Sequence, residues 1–129
     1  LELCNILEIL HAHSPAIIHR DIKPSNIIIT NYNKAVLLDF NAAKYYSEQE
    51  KDTMLLGTQG YAAPEQYGIT QTDDRADIYS LGVLLNIMLT GKHPSKELAS
   101  GRLGRIVQKC TMVNPEKRYK SVLYLMEAL

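Results

Sequence analysis

The sequence predicts a mainly α fold of the α+β type, one domain over residues 1–129, with a small β-hairpin near its start and a buried helix at its centre. Three observations predict it. Apolar residues recur at helical spacing in three separate stretches. A fourth stretch, 74–90, is apolar on nearly every side, as a helix at the centre of a domain must be. Two short β-prone runs flank a four-residue turn.

In chain order, Leu3, Ile6, Leu7 and Leu10 step at i, i+3, i+4 and i+7, so a helix covers 1–13. Ser14-Pro15 ends it, because proline disfavours helical geometry at the residue before it. Residues 16–26 read as a loop. Ile27-Ile28-Ile29-Thr30 and Ala35-Val36-Leu37-Leu38 are the hairpin strands, joined by the turn residues Asn31-Tyr32-Asn33-Lys34. Residues 39–72 carry no sustained period and read as a long loop, which inside a compact domain is usually functional. In 74–90, Ile78, Tyr79, Leu81, Val83, Leu84, Leu85, Ile87, Met88 and Leu89 leave almost no polar face, and Gly91 followed by Pro94 stops the helix. Leu103, Ile106, Val107 and Cys110 give a helix over 102–111 that Asn114-Pro115 ends. Val122, Leu125, Met126 and Leu129 give a short last helix with Ser121 as N-cap.

Composition removes several function classes. Fourteen basic residues offset fourteen acidic ones, so no general field draws nucleic acid or an anionic membrane. No apolar run approaches the roughly 20 residues that span a bilayer. With 46% hydrophobic and 22% charged residues, wholesale disorder is excluded. Cys4 and Cys110 are the only cysteines and stand far apart, which argues against a disulfide scaffold and for a reducing, cytoplasmic setting. Both fall on apolar stripes and read as core. Residue 1 is Leu, helical spacing already runs there, and no signal peptide is visible, so a fragment of a longer protein is the expectation.

The chemistry concentrates in His19-Arg20-Asp21-Ile22-Lys23-Pro24-Ser25-Asn26, just before the hairpin, and in Asp39-Phe40-Asn41, where its second strand ends. One hairpin can bring Asp21, Lys23, Asn26 and Asp39 together. Asn26 and Asp39 offer hard oxygen donors that suit Mg²⁺. The Asp21 carboxylate can orient an attacking hydroxyl and accept its proton. Lys23 places a cation where charge develops on a transferring phosphoryl group. Elsewhere the simpler readings hold. His11 and His13 read as surface histidines at a helix end, not as a metal pair. Lys92 and His93 read as cations at a helix C-terminus, and Asp73 and Asp74 as acids at a helix start.

These residues resemble the eukaryotic-type protein Ser/Thr kinase family, and the resemblance covers essentially the whole chain but only the family's C-terminal lobe. His19 to Asn26 match H-R-D-x-K-P-x-N at every defined position. Asp39 and Phe40 match D-F-G, with Asn41 in place of glycine. Ala63-Pro64-Glu65 matches A-P-E, and the preceding Gly57-Thr58-Gln59-Gly60-Tyr61 looks like the segment that receives a substrate peptide. Asp77-Ile78-Tyr79-Ser80-Leu81-Gly82 fits the start of the family's central helix, and Asn114 to Tyr119 resemble N-P-x-x-R-Y. Five motifs in the right order are specific where one would not be.

The resemblance implies roles. Asp21 would be the catalytic base, Lys23 its cationic partner and a pointer to Ser/Thr acceptors, and Asn26 and Asp39 the Mg²⁺ ligands. Thr58 would contact Asp21 and Lys23 in the substrate pocket. His19, Phe40 and Asp77 would support the site, and Glu65 and Arg118 would form a buried ion pair. Thr53 would be a phosphorylation site with Arg20 as partner for the added charge. ATP and a protein or peptide would be the substrates.

The departures carry expectations too. No G-x-G-x-x-G occurs, and the family's N-terminal lobe has no counterpart in the chain, so weak ATP binding and little or no activity are expected of this chain alone. Asn41 tolerates left-handed backbone better than most residues, so the Asp39 turn is expected to survive. The stretch from Pro94 to Leu103 is too short for the helix many members carry there. The activation segment looks bacterial in style. Apolar surface left uncovered around Leu1–Leu10 or the hairpin edge predicts self-association. Two other functions stay open: a non-catalytic, pseudokinase-like module that holds a peptide or partner, and a small-molecule phosphotransferase.

Overall fold

The protein is described here by a computed structural model covering residues 1–47, 57–67 and 72–129. In chain order it consists of α1 (Glu2–Ala12), β1 (Ile17–Ile18), a 3-10 turn at Pro24–Asn26, β2 (Ile27–Ile29), β3 (Ala35–Leu37) and β4 (Lys44–Tyr45). A 3-10 turn at Pro64–Tyr67 follows, then α2 (Arg75–Thr90), α3 (Gly101–Cys110), a 3-10 turn at Pro115–Lys117 and α4 (Val122–Ala128). The fold is mostly helical, as the sequence predicts, and the described residues form two small antiparallel sheets, one of them the expected hairpin.

The hairpin pairs Ile27 with Leu37, Ile28 with Val36 and Ile29 with Ala35. Its turn is held by Thr30 Oγ1, which accepts from the N–H groups of Tyr32 and Lys34, and by Asn33 at φ 58°. Asparagine is among the few residues that adopt this left-handed geometry readily. The second sheet, β1 with β4, was not visible in the sequence. It pairs Ile17 with Tyr45 and Ile18 with Lys44, and two-residue strands leave no period to read. It folds residues 39–46 back over the start of the 16–26 stretch, so neither stretch is wholly loop.

The core joins Cys4 and Leu7 of α1, Ile22, Leu37, Ile78, Leu81 and Leu84 of α2, Ile106 and Cys110 of α3, and Val122 and Leu125 of α4. Most of α2 is buried, but not all: Met88 is 73% exposed at its last turn, so the apolar run outlasts the core it serves. Gly82 is where α2 meets α3, since a Cβ there would overlap the Cys110 Cβ and Thr111. Burial pushes the Cys110 thiol up to about 12, which leaves it protonated and confined to packing. Gly91 closes α2 at φ 73°, its N–H donating to Ile87 O. Ser121 caps α4, its hydroxyl accepting from Tyr124 N at 3.5 Å.

Between α2 and α3 there is no helix, only one turn and an extended strap. Asn86, fully buried on α2, holds that strap. Its Nδ2 donates to Lys92 O (2.9 Å) and Glu97 O (2.8 Å), and its Oδ1 accepts from Ala99 N (2.8 Å). No helix among the described residues is long and apolar enough to cross a membrane.

Candidate functional site

The 19–26 loop is shaped by a carboxylate from another part of the chain. Asp77, fully buried in the first turn of α2, accepts from His19 N at Oδ2 (2.9 Å) and from Arg20 N at Oδ1 (2.8 Å). Arg20 sits at φ 68°, a left-handed position that costs energy for a side chain of its size, and Asp77 is what offsets it. The Arg20 guanidinium is buried, with Nε donating to Ala42 O at 2.7 Å. Its carbonyl accepts from Gln66 Nε2 at 2.9 Å.

His19 is fixed in one tautomer. Its Nδ1 accepts from Asp21 N (3.2 Å), so the ring proton is on Nε2, which donates to Leu38 O (3.0 Å). Phe40 meets the ring edge-on, with centroids 4.9 Å apart.

The central constellation brings together residues up to 37 positions apart in sequence. Thr58 Oγ1 donates to Asp21 Oδ1 at 2.7 Å and accepts from Lys23 Nζ at 2.7 Å. Lys23 Nζ lies 3.9 Å from Asp21 Oδ2. Asn26 Nδ2 donates to the Asp21 carbonyl (2.8 Å) and to Asp21 Oδ2 (3.2 Å). The carboxylate is thus aimed by three groups, while its side chain stays 15% exposed and reachable from solvent.

Asp39 stands one residue beyond Leu38, whose N–H donates to Asn26 O at 2.8 Å. It is exposed, and among the described residues its Oδ1 accepts a local bond from Asn41 N at 3.1 Å. Asn26 spends its amide nitrogen on Asp21, so its amide oxygen is the atom it could offer a cation. Two hard oxygen donors at neighbouring backbone positions fit Mg²⁺. The strain at this turn falls on Asp39 itself, at φ 57°, and not on Asn41 as expected from the missing glycine. The Asn41 N–H bond back to the Asp39 carboxylate is what holds it.

Farther out, Arg118 is buried and pairs bidentately with Glu65: Nη1 donates to Oε2 at 2.6 Å and Nη2 to Oε1 at 2.8 Å. Its remaining protons go to the carbonyls of Met112, Arg75 and Val113. Its carbon Cζ lies 5.0 Å from the Tyr79 ring centre, and burial pushes the Tyr79 phenol up, so the cation meets a neutral ring. Thr53 lies outside the described residues.

Two expectations are corrected. His11 is no surface histidine: its side chain is 7% exposed and Nε2 donates to Asp77 Oδ2 at 2.8 Å. It continues the buried stripe of Cys4 and Leu7, a spacing that could have flagged it. His13 turns away, with Nδ1 donating to Pro15 O, so the two do not converge. His93 does not serve the end of α2; its Nε2 reaches Gly60 O at 2.7 Å. Lys92 instead faces Glu97 at 3.6 Å. Sequence reasoning also missed Gln66 and Asn86, since a lone amide carries no pattern.

The protein kinase domain family matches residues 1–122. The chain belongs to this family. Curated relatives from Arabidopsis thaliana agree. The chain is 40% identical over 114 residues to calmodulin-binding receptor-like cytoplasmic kinase 1, covering 84% of this chain and 24% of that protein. It is 43% identical over 95 residues to the leucine-rich repeat receptor-like serine/threonine/tyrosine-protein kinase SOBIR1, covering 70% of this chain and 15% of that protein. It is 40% identical over 99 residues to serine/threonine-protein kinase AtPK1/AtPK6, covering 77% of this chain and 20% of that protein. The chain therefore spans less than a quarter of the length of these relatives. All three are plant proteins and lend no support to a bacterial style.

Proposed function

We propose that this chain is the C-terminal lobe of a protein Ser/Thr kinase, which transfers the γ-phosphoryl group of ATP to a Ser or Thr hydroxyl of a protein. The observation that carries the reading is the Asp21–Thr58–Lys23 constellation, in which a threonine bridges the acid and the cation. Asp21 orients the acceptor hydroxyl and takes its proton as the oxygen bonds to phosphorus and the ADP oxygen departs. Lys23 offsets negative charge on the group in transit. Asn26 and Asp39 would hold Mg²⁺, which when bound neutralises phosphate charge. His19 and Phe40 brace the loop from beneath. Phosphorylation of Thr53 with Arg20 as charge partner, and a cytoplasmic setting, belong to the same reading.

Phosphate transfer from Mg-ATP to a degenerate Ser/Thr peptide library, by the longer protein we propose this chain comes from, tests the function. Nucleotide binding without transfer would favour the pseudokinase-like module. Transfer confined to small molecules would favour the other phosphotransferase.

For the chain alone, calorimetry with Mg-ATP is expected to show no binding at micromolar strength, because no Gly-rich loop closes over the phosphates. Micromolar binding that Asp39→Ala abolishes would show that this lobe holds nucleotide unaided, against the half-site reading.

We also propose self-association. An apolar groove of about 460 Å³ opens between Leu1 and Leu3, Ile27 and Ile29, and Leu85 and Met88. Leu1 and Ile29 at its rim are 69% and 64% exposed. Sedimentation at high concentration is expected to show a dimer, and a monomer there would refute it.

A further inference from the structure

The turn that carries Thr58 is gripped on its far side by a histidine that the motifs do not include. His93 Nε2 lies 2.7 Å from Gly60 O, across 33 residues of sequence. The ring has one possible proton placement. Its Nδ1 accepts from Ser95 N at 3.1 Å, so Nδ1 carries a lone pair and Nε2 carries the hydrogen. The Ser95 hydroxyl lies 2.9 Å from the same Nδ1. The bond to Gly60 is therefore a donated N–H, directed by its neighbours.

His93 sits on firm ground. It belongs to the strap that buried Asn86 holds at Lys92, Glu97 and Ala99. The turn it grips is compact. Thr58 O accepts from Tyr61 N (3.1 Å) and Ala62 N (2.9 Å), and Ser80 Oγ donates to Tyr61 O (2.7 Å). Gly60 itself adopts φ 93°, which few side-chain-bearing residues could hold. Thr58, two residues before Gly60, is thus fixed from the 19–26 loop by Asp21 and Lys23 and from the strap by His93.

We propose that His93 is a positioning residue for the acceptor peptide: its Nε2–H holds the Gly60 carbonyl, and through it sets where Thr58 stands between Asp21 and Lys23. The proposal rests on the reading of this turn as the peptide-receiving segment.

Two substitutions separate the donor from the ring. His93→Phe keeps a ring without a donor, and His93→Gln keeps a donor without the ring. On this chain, ¹⁵N spectra of the wild type are expected to show the Nε2–H tautomer. Amide exchange at Tyr61 and Ala62 is expected to quicken by about fivefold in His93→Phe, the factor one hydrogen bond confers. His93→Gln is expected to restore it. In the longer protein, His93→Phe is expected to raise the peptide KM by about fivefold with the ATP KM unchanged, again restored by His93→Gln. The opposite tautomer, unchanged exchange in His93→Phe, or no restoration by His93→Gln would overturn the proposal. So would a fall in kcat alone, because a merely structural role predicts that. If the wild-type protein transfers no phosphate, the kinase reading falls, while the exchange arm still decides whether His93 positions the turn.

Discussion

Asp21→Asn is expected to slow phosphoryl transfer to a Ser/Thr peptide by about 10²–10⁴-fold, the range for removal of a general base. The substitution keeps the size of the side chain, but with its amide oxygen facing Thr58 the new NH2 meets the donors Asn26 Nδ2 and Lys23 Nζ, so the Asn26 bond to Oδ2 is lost while its bond to the Asp21 carbonyl remains. What it removes is the site's proton acceptor and the negative charge that Lys23 faces at 3.9 Å. The Thr58 hydroxyl, which now donates to Oδ1, can still bond to an amide oxygen, so the peptide pocket is expected to survive. Mg-ATP affinity and melting temperature are the controls, and both are expected to hold. An unchanged rate would remove Asp21 from the chemistry and leave it a positioning role.

Arg118→Ala is expected to destabilise the chain by about 3–5 kcal/mol, the penalty for breaking a buried ion pair from one side. For a domain of this size that is a fall in melting temperature of roughly 10–20 °C. The cause is more than the lost pair with Glu65. The carbonyls of Met112, Arg75 and Val113 lose their donor at the same moment, and the Tyr79 ring loses its cation. Glu65→Gln is expected to cost less, since Arg118 keeps all three carbonyls and the ring. Arg118→Lys is expected to recover little, because an ammonium cannot make the two-pronged contact. Thermal melts of the three variants check this order; equal losses would mean that the Glu65 contact dominates.

The outer helices were readable because their apolar residues recur at helical spacing, α2 because it is apolar on nearly every side, and the hairpin because two β-prone runs flank turn residues. The contact of Asp21 with Lys23 and Asn26 was readable because the three lie within one short loop, whereas the bond described for the Asp39 side chain is a local one from Asn41. What escaped was of another kind. The β1–β4 pairing is two residues deep and unites positions 28 and 26 apart in sequence. The left-handed turn at Asp39 in place of Asn41 depends on how β3 hands over to the next segment, which no local pattern records. His93 and Asn86 act through single bonds to backbone atoms, and such bonds leave no spacing behind. His11 was legible in principle, because it extends the stripe of Cys4 and Leu7; a histidine near a helix end simply reads first as solvated.

The Asp77 carboxylate gives the site a place in the order of folding. Its bonds to His19 and Arg20 bridge 58 and 57 residues, and its bond to His11 bridges 66. Contacts of that span must close a long loop before they gain anything, so they form late. The hairpin can zip early, but the loop that presents Asp21 waits for α2 to dock. Fraying of the first turn of α2 would release His19, Arg20 and His11 together and would draw Ile78 out of the core with them. The order of the 19–26 loop is therefore tied to the core, and anything that grips the start of α2 is felt at Asp21.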